Sequence, residues 1–195
     1  MKILGINCMN HDAAMAVVEI KDGIGKILWA AHAERYSKIK NDHYLNQAIV
    51  NEAMTYGPFN KVVYYEKPWL KKTRQFYAGQ YGTALSYTEL PSWHLEHFGI
   101  KIDEYVKHHD SHAAAGYFTS PFTDATILTV DAIGEWDTVS ISTAEKVWIE
   151  RKETIKYPHS IGILYSAFTH RCGLKPAEEE YIVMGMAAYG KPIYK

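Results

Sequence analysis

Short apolar runs, each followed by polar or glycine-bearing residues, open the chain and predict β-strands. Runs that alternate or stay apolar over four to eight residues are typical of half-buried or buried strands. The first three cover residues 2–7, 13–20 and 26–33. Lys21-Asp22-Gly23 between the last two is a hairpin signal, since glycine tolerates the backbone of a tight turn. Further strands are predicted at residues 61–65 and 102–107.

Helical periodicity appears between these strands. Asp42 can cap a helix whose apolar residues recur three and four positions apart. These residues are Leu45, Ala48, Ile49, Ala53 and Met54. Residues 67–99 have no clean period and predict irregular structure or short helices. An alanine-rich run after residue 107 favours helix again.

The order of elements starts again at residue 125, which predicts a fold of two similar lobes. The second series is a strand at 125–130, a polar turn at 131–137, strands at 138–143 and 147–156, and a helix at 161–172. Strand, acidic turn, strand, hairpin, strand and helix follow one another in both halves. We therefore expect an α/β fold with lobes at residues 1–124 and 125–195 and a ligand between them. The alternative is an ordinary mixed α/β domain with two unrelated meanders.

The charge balance and the cysteine content narrow the class of protein. Twenty-one basic and twenty-two acidic residues give a net charge of −1. This balance lacks the excess positive charge that would indicate binding to nucleic acid or an anionic membrane. Two cysteines cannot form a disulfide framework. We find neither a signal peptide nor a window of eighteen apolar residues. The expectation is a cytoplasmic protein that does not span a membrane.

Two histidines at helical spacing suggest a metal site. His108 and His112 are four residues apart, so a helix would place both imidazoles on one face. Asp131, at the end of an apolar strand, can supply a third, oxygen ligand. Ten histidines in 195 residues make such a pair weak on its own, and His109 with His112 is an alternative pair. The alternative is a pair of helix-surface or capped histidines that bind no metal.

Other polar residues lie where strands turn. His11 and Asp12 follow the first strand, where Asp12 can act as a base or orient an acceptor, and His11 can meet a phosphate. The alternative is that both only bond local backbone. The turn after Asp131, with Gly134 and Glu135, is a candidate phosphate-binding turn, because backbone N–H groups of tight turns bind phosphate oxygens. A charged segment is a candidate anion clamp, with a solvated charged edge as the alternative; its residues are Glu34, Arg35, Lys38 and Lys40.

Six segments, in the same order along the chain, resemble the NodU/CmcH-type carbamoyltransferases, which belong to the actin-like ATPase fold group. They are residues 3–7 with 11–14, 34–40, 108–114, 130–135, 160–166 and 183–190. The resemblance implies an actin-like, ribonuclease H-like fold with mixed sheets. Such enzymes bind a metal, usually iron, at the positions of His108, His112 and Asp131. For this chain we therefore expect a divalent metal ion, with iron first and manganese or zinc as alternatives.

The same resemblance places nucleotide contacts and a reaction on the chain. Gly134 and Gly162 correspond to turn glycines near the nucleotide, and Lys40 matches a basic position near the phosphates. The family reaction forms a carbamoyladenylate from carbamoyl phosphate and ATP, then transfers the carbamoyl group to a hydroxyl-type acceptor. The acceptor is expected to be a small molecule; a nucleoside is possible, whereas nucleic acid is not expected.

Family members are several times longer, so the chain is expected to be an N-terminal portion, completed by a C-terminal portion or another chain. Two other interpretations stay open. One is an enzyme like the tRNA threonylcarbamoyl transferases, which share the His-x-x-x-His metal site. The other is an inactive nucleotide-binding or scaffold module.

Overall fold

The computed structural model describes residues 1–193, and the chain divides into two compact units. The first unit comprises residues 1–111 and the second begins at residue 112. The division into lobes at residues 1–124 and 125–195 stays a prediction. Within the described residues, none of the helices combines the length and apolar character needed to cross a membrane.

The first unit is built on a five-stranded mixed sheet. Its strands are β1 (Lys2–Asn7), β2 (Ala14–Lys21), β3 (Ile24–His32), β4 (Lys61–Tyr64) and β5 (Glu104–Tyr105). The order across the sheet is β3-β2-β1-β4-β5. Strand β2 is antiparallel to β1 and β3, whereas β4 is parallel to β1 and β5 is parallel to β4. This order and these directions match the actin-like, ribonuclease H-like fold that the sequence predicts.

Short helices connect the strands of the first unit. They are α1 (Glu34–Ser37), α2 (Gln47–Met54), α3 (Pro68–Tyr77), α4 (Tyr81–Leu85), a 3₁₀ helix (Tyr87–Glu89) and α5 (Pro91–Glu96). The short helices predicted within residues 67–99 are therefore confirmed. The strand predicted at 102–107 is wrong in extent, since only two residues pair with β4.

The core of the first unit follows from the alternation in its central strands. Leu4 and Ile6 on β1, and Met15 and Val17 on β2, are buried, because side chains two apart in a strand share a face. Apolar residues of α2, including Ile49, belong to the same buried cluster. Both cysteines are free; burial raises the pKa of the Cys8 thiol to about 12, which makes it inert at neutral pH.

Helix α2 is capped by Asn46, so the predicted Asp42 cap is wrong. The Asn46 side-chain oxygen accepts hydrogen bonds from the N–H groups of Ala48 and Ile49, each at 3.1 Å. Asp42 instead accepts from the N–H of Tyr44 at 3.1 Å. An Asp side chain readily bonds the backbone two residues on, and here this turn precedes the helix.

The Asn46→Ala variant is expected to lose about 1 kcal/mol of unfolding free energy, because two N–H groups of the first turn lose their acceptor. Urea denaturation followed by circular dichroism measures this loss. Asn51→Ala on the same helix is the matched control, since it removes only one exposed side-chain bond, to Gln47. Equal stability of the two variants would contradict the assigned cap.

The second unit carries a three-stranded antiparallel meander followed by two helices. Its elements are β6 (Asp124–Gly134), β7 (Asp137–Glu145), β8 (Trp148–Lys156), α7 (Ile161–Arg171) and α8 (Glu180–Ala187). Helix α6 (His108–Phe118) contains the division between the units. Three strands followed by a helix thus open the chain and recur from residue 124, which confirms the predicted repetition.

The polar turn predicted at residues 131–137 is wrong in its first half. Strand β6 continues to Gly134, which pairs with Asp137, and the loop consists of Glu135 and Trp136. The register shifts between Val130 and Gly134, where β6 has more residues than its partner. Such a bulge re-aims side chains without ending the strand. The Asp131 carboxylate therefore projects from an irregular stretch inside β6.

Candidate metal centre

Helix α6 begins at His108 and brings the two predicted histidines one turn apart. The run Ala113-Ala114-Ala115 has high helix propensity and little side-chain entropy to lose, which favours this helix. The His108 side chain is only 8% exposed, whereas that of His112 is 54% exposed. One imidazole is therefore fixed by its surroundings, and the other is accessible to a ligand.

Asp131 faces the second histidine within the second unit. Its Oδ2 atom lies 3.7 Å from Nε2 of His112, and its Oδ1 accepts a 2.6 Å hydrogen bond from the N–H of Ala132. A possible metal-ligand nitrogen of His112 also lies within 4.8 Å of a possible ligand nitrogen of His108. Two atoms bound to one ion at about 2.1 Å each are at most about 4.2 Å apart. The spacing between His112 and Asp131 already meets that condition.

The donor set fits a transition metal. Two imidazoles and one carboxylate suit iron, manganese or zinc, and such sets leave positions open for water or substrate oxygen atoms. His109, the alternative partner at the sequence level, is 1% exposed. Among the described residues, the group that brings such donors together contains His108 and not His109.

Glu66 contacts the buried histidine, and the sequence analysis missed it. It lies two residues after the end of β4, is 4% exposed, and places Oε2 at 3.7 Å from Nδ1 of His108. Its Oε1 atom accepts a 2.8 Å hydrogen bond from Nζ of Lys71. Burial raises the pKa of Glu66, but the interactions with His108 and Lys71 outweigh it, so the pKa lies below its usual value. A charged residue directly after an apolar strand was the available signal.

The start of helix α7 holds Asp131 from the other side. The Ser160 hydroxyl accepts a 3.0 Å hydrogen bond from the N–H of Ile163, which caps the helix, and donates at 2.6 Å to the carbonyl of Ala132. A Cβ atom on Gly162 would lie 2.6 Å from Cα of Ala132 and 2.7 Å from the Asp131 carbonyl oxygen. Only glycine allows this approach between helix and strand.

The predicted phosphate contacts of the second unit lie near the same strand. Gly134 and Glu135 are at the end of β6, and both are buried. Glu135 has a φ of 60°, a left-handed backbone conformation that residues other than glycine rarely adopt. Gly162 belongs to the first turn of α7, where the N–H of Ile163 is bonded to Ser160; N–H groups at the start of a helix favour anions.

The remaining candidates lie in the first unit. Nδ1 of His11 is 2.8 Å from Oδ2 of Asp12, and Asp12 has a φ of 52°. Lys40 lines a shallow cavity of about 290 Å³ together with Glu34, Arg35 and Lys38. These residues thus line one open surface depression, and the anion clamp stays a prediction.

The chain is similar in sequence to one protein family and to several known proteins. Residues 96–194 match the family described as "Carbamoyltransferase N-terminus". A Synechocystis protein, sll1178, described as uncharacterised, is 33% identical over 98% of this chain, and nodulation protein NolNO of Sinorhizobium fredii is 25% identical over 95% of it. The chain spans 35% and 29% of these two relatives, respectively.

Among solved structures, the chain is similar to the PPX-GPPA enzyme of Aquifex aeolicus, with 13% identity and a TM-score of 0.43 over 66% of that chain. A second Aquifex aeolicus structure, the type II variant of the Ppx/GppA phosphatase, has 14% identity and a TM-score of 0.40. The family match covers half of the chain and includes all of α6 and the acidic strand β6. The chain therefore belongs to the carbamoyltransferase N-terminus family, a family of transferases.

Proposed function

We propose that this chain provides part of the catalytic site of an ATP- and metal-dependent carbamoyltransferase. The carbamoyl group would come from carbamoyl phosphate through a carbamoyladenylate and pass to a hydroxyl-type acceptor, a small molecule or a nucleoside. The family assignment supports carbamoyl transfer. The observation that carries the metal-dependent chemistry is the arrangement of His108, His112 and Asp131.

The three side chains would hold one divalent ion, with iron as the first choice and manganese or zinc as alternatives. His108 and His112 offer nitrogen atoms from one helix face, and Asp131 offers Oδ2. When bound, such an ion supplies positive charge that stabilises the negative charge developing on the phosphate of the departing AMP. The carboxylate also offsets part of the charge of the ion.

The nucleotide phosphates would be held by basic and backbone groups. Lys40 offers a cationic contact in the first unit, and the N–H groups beside Gly134 and Glu135 offer neutral donors. The first turn of α7 offers further N–H groups beside Gly162, which packs directly on the backbone of Asp131 and Ala132. Together, one lysine and several uncharged N–H donors can orient a phosphate and still allow it to dissociate.

Acceptor activation is assigned to Asp12 and His11. In the transfer step, the acceptor oxygen forms a bond to the carbamoyl carbon, and the bond from that carbon to the AMP phosphate oxygen breaks. The proton of the acceptor hydroxyl passes to the Asp12 carboxylate, and AMP leaves with the bonding electron pair. His11, bonded to Asp12 at 2.8 Å, fixes the orientation of the carboxylate.

The test is an assay of the complete gene product with carbamoyl phosphate, ATP, Mn²⁺ or Fe²⁺, and a panel of sugar and nucleoside alcohols. Pyrophosphate reports adenylate formation, whereas acceptor-dependent AMP release reports transfer. Asp12→Asn is expected to lower acceptor-dependent AMP release by about 100-fold or more, the usual contribution of a general base, while pyrophosphate formation continues.

Asp22→Asn is the matched control for this assay. Asp22 is an exposed aspartate in the hairpin between β2 and β3, and it also has a positive φ, so it shares the backbone conformation of Asp12 without the proposed role. Its AMP release should equal that of the wild type. Absence of both pyrophosphate and AMP with every acceptor and metal would contradict the proposed function.

A further inference from the structure

We infer that Glu66 is a positioning residue of the metal centre, which orients the imidazole of His108 so that Nε2 is presented to the ion. This inference rests on the proposed metal site. Nothing in the family resemblance assigns a role to Glu66, and the residue lies outside the segment that matches the family description. The assignment comes from the contacts of the carboxylate.

The two oxygen atoms of Glu66 have separate partners. Oε2 lies 3.7 Å from Nδ1 of His108, and Oε1 accepts a hydrogen bond of 2.8 Å from Lys71. The carboxylate is nearly inaccessible, at 4% exposure. A buried carboxylate costs free energy unless it is paired, and Lys71 provides that pairing. Glu66 can therefore stay charged beside the histidine.

The position of Glu66 determines which nitrogen of His108 is available. A carboxylate next to Nδ1 favours a proton on that nitrogen, which leaves the Nε2 lone pair for a metal. His112 uses the same atom type, since its Nε2 faces Asp131 at 3.7 Å. Both histidines would thus bind through Nε2, while Nδ1 of His108 lies 3.7 Å from the Glu66 carboxylate.

Contacts of the neighbouring residue Tyr65 hold the segment that carries Glu66 against the start of helix α6. The Ser111 hydroxyl, in the first turn of α6, donates at 2.7 Å to the carbonyl of Tyr65, the residue just before Glu66. The Tyr65 ring packs edge-on against the imidazole of His108, with centroids 5.3 Å apart. The end of β4 and the start of α6 are therefore joined on both sides of the contact between Glu66 and His108.

The experiment is a titration of the 195-residue protein with Co²⁺, followed by calorimetry and by visible absorption of the bound ion. Glu66→Gln keeps the shape of the side chain and removes its charge, so the Kd for Co²⁺ is expected to rise by about 10- to 100-fold. The absorption bands should also change, because the orientation of one ligand ring changes. Glu66→Asp, with a shorter reach, should weaken binding in the same direction.

Glu52→Gln is the matched control. Its carboxylate also has two partners in the first unit, the indole of Trp29 at 2.8 Å and the hydroxyl of Tyr36 at 2.7 Å. Both glutamine variants lose a bonded carboxylate, and thermal unfolding without metal reports how much stability each loses. Only the Glu66 variants should change the Kd and the Co²⁺ spectrum.

Wild-type affinity and an unchanged spectrum in Glu66→Gln would overturn the inference and leave the proposed metal site intact. This also holds if the variant is less stable, because a purely structural role changes the melting temperature alone. Failure of the wild type itself to bind Co²⁺, Mn²⁺ or Fe²⁺ would overturn both the inference and the metal-dependent function. The two failures are therefore distinguishable.

Discussion

The His112→Ala variant is expected to bind Mn²⁺ or Co²⁺ more than about 100-fold more weakly than the wild type, because loss of a ligand should exceed the 10- to 100-fold effect of losing an outer partner. Removal of the imidazole leaves one nitrogen and one carboxylate donor, too few to hold a divalent ion against water. Calorimetric titration of the metal-free protein measures the change in Kd.

The exposure of His112 makes this test specific. Its side chain is 54% exposed, so truncation opens no cavity, and the unfolding free energy without metal should change by about 0.5 kcal/mol or less. His170→Ala, an exposed histidine on α7, is the matched control and should bind metal as the wild type does. Equal affinity of the wild type and His112→Ala would show that the metal lies elsewhere or does not bind.

The strands could be predicted because burial imposes their pattern. The prediction of β1 agrees with the structure to the residue, since its run of apolar residues is limited by Lys2 and Asn7. The cap of α2 could not be placed in the same way. Asp42 and Asn46 are both good caps, and the choice between them depends on where the chain leaves the sheet rather than on local propensity.

The candidate site could be predicted only in part from the sequence, for a similar reason. His108 and His112 are four residues apart on a single helix, so local periodicity places both on one face. Asp131 required the further assumption that β6 ends there; the strand continues, but a bulge turns the carboxylate toward His112 at 3.7 Å. Glu66 lies in the connection between β4 and α3, whereas His108 begins α6, and no local pattern joins the two. Contacts between distant segments are set by tertiary packing, which spacing along the chain does not encode.

The Gly162→Ala variant is expected to lose about 3 kcal/mol of unfolding free energy, because an added methyl group would overlap backbone atoms that cannot rotate away. The nearest atoms would be Cα and N of Ala132, both at 2.6 Å. Helix α7 must then shift away from β6, which weakens the bond from Ser160 to the Ala132 carbonyl and displaces Asp131. We therefore expect weaker metal binding as well as lower stability, measured by urea denaturation and Co²⁺ titration.

Gly185→Ala on α8 separates this steric effect from the general effect of replacing a helical glycine. A Cβ atom at Gly185 would meet nothing within 4 Å, so alanine there should raise the unfolding free energy by about 0.5–1 kcal/mol through its higher helix propensity. Opposite signs for the two substitutions would establish that contact between α7 and β6 requires glycine at position 162. If Gly162→Ala were as stable as the wild type and bound Co²⁺ equally well, the close packing of α7 on Asp131 and Ala132 could not be what positions the carboxylate.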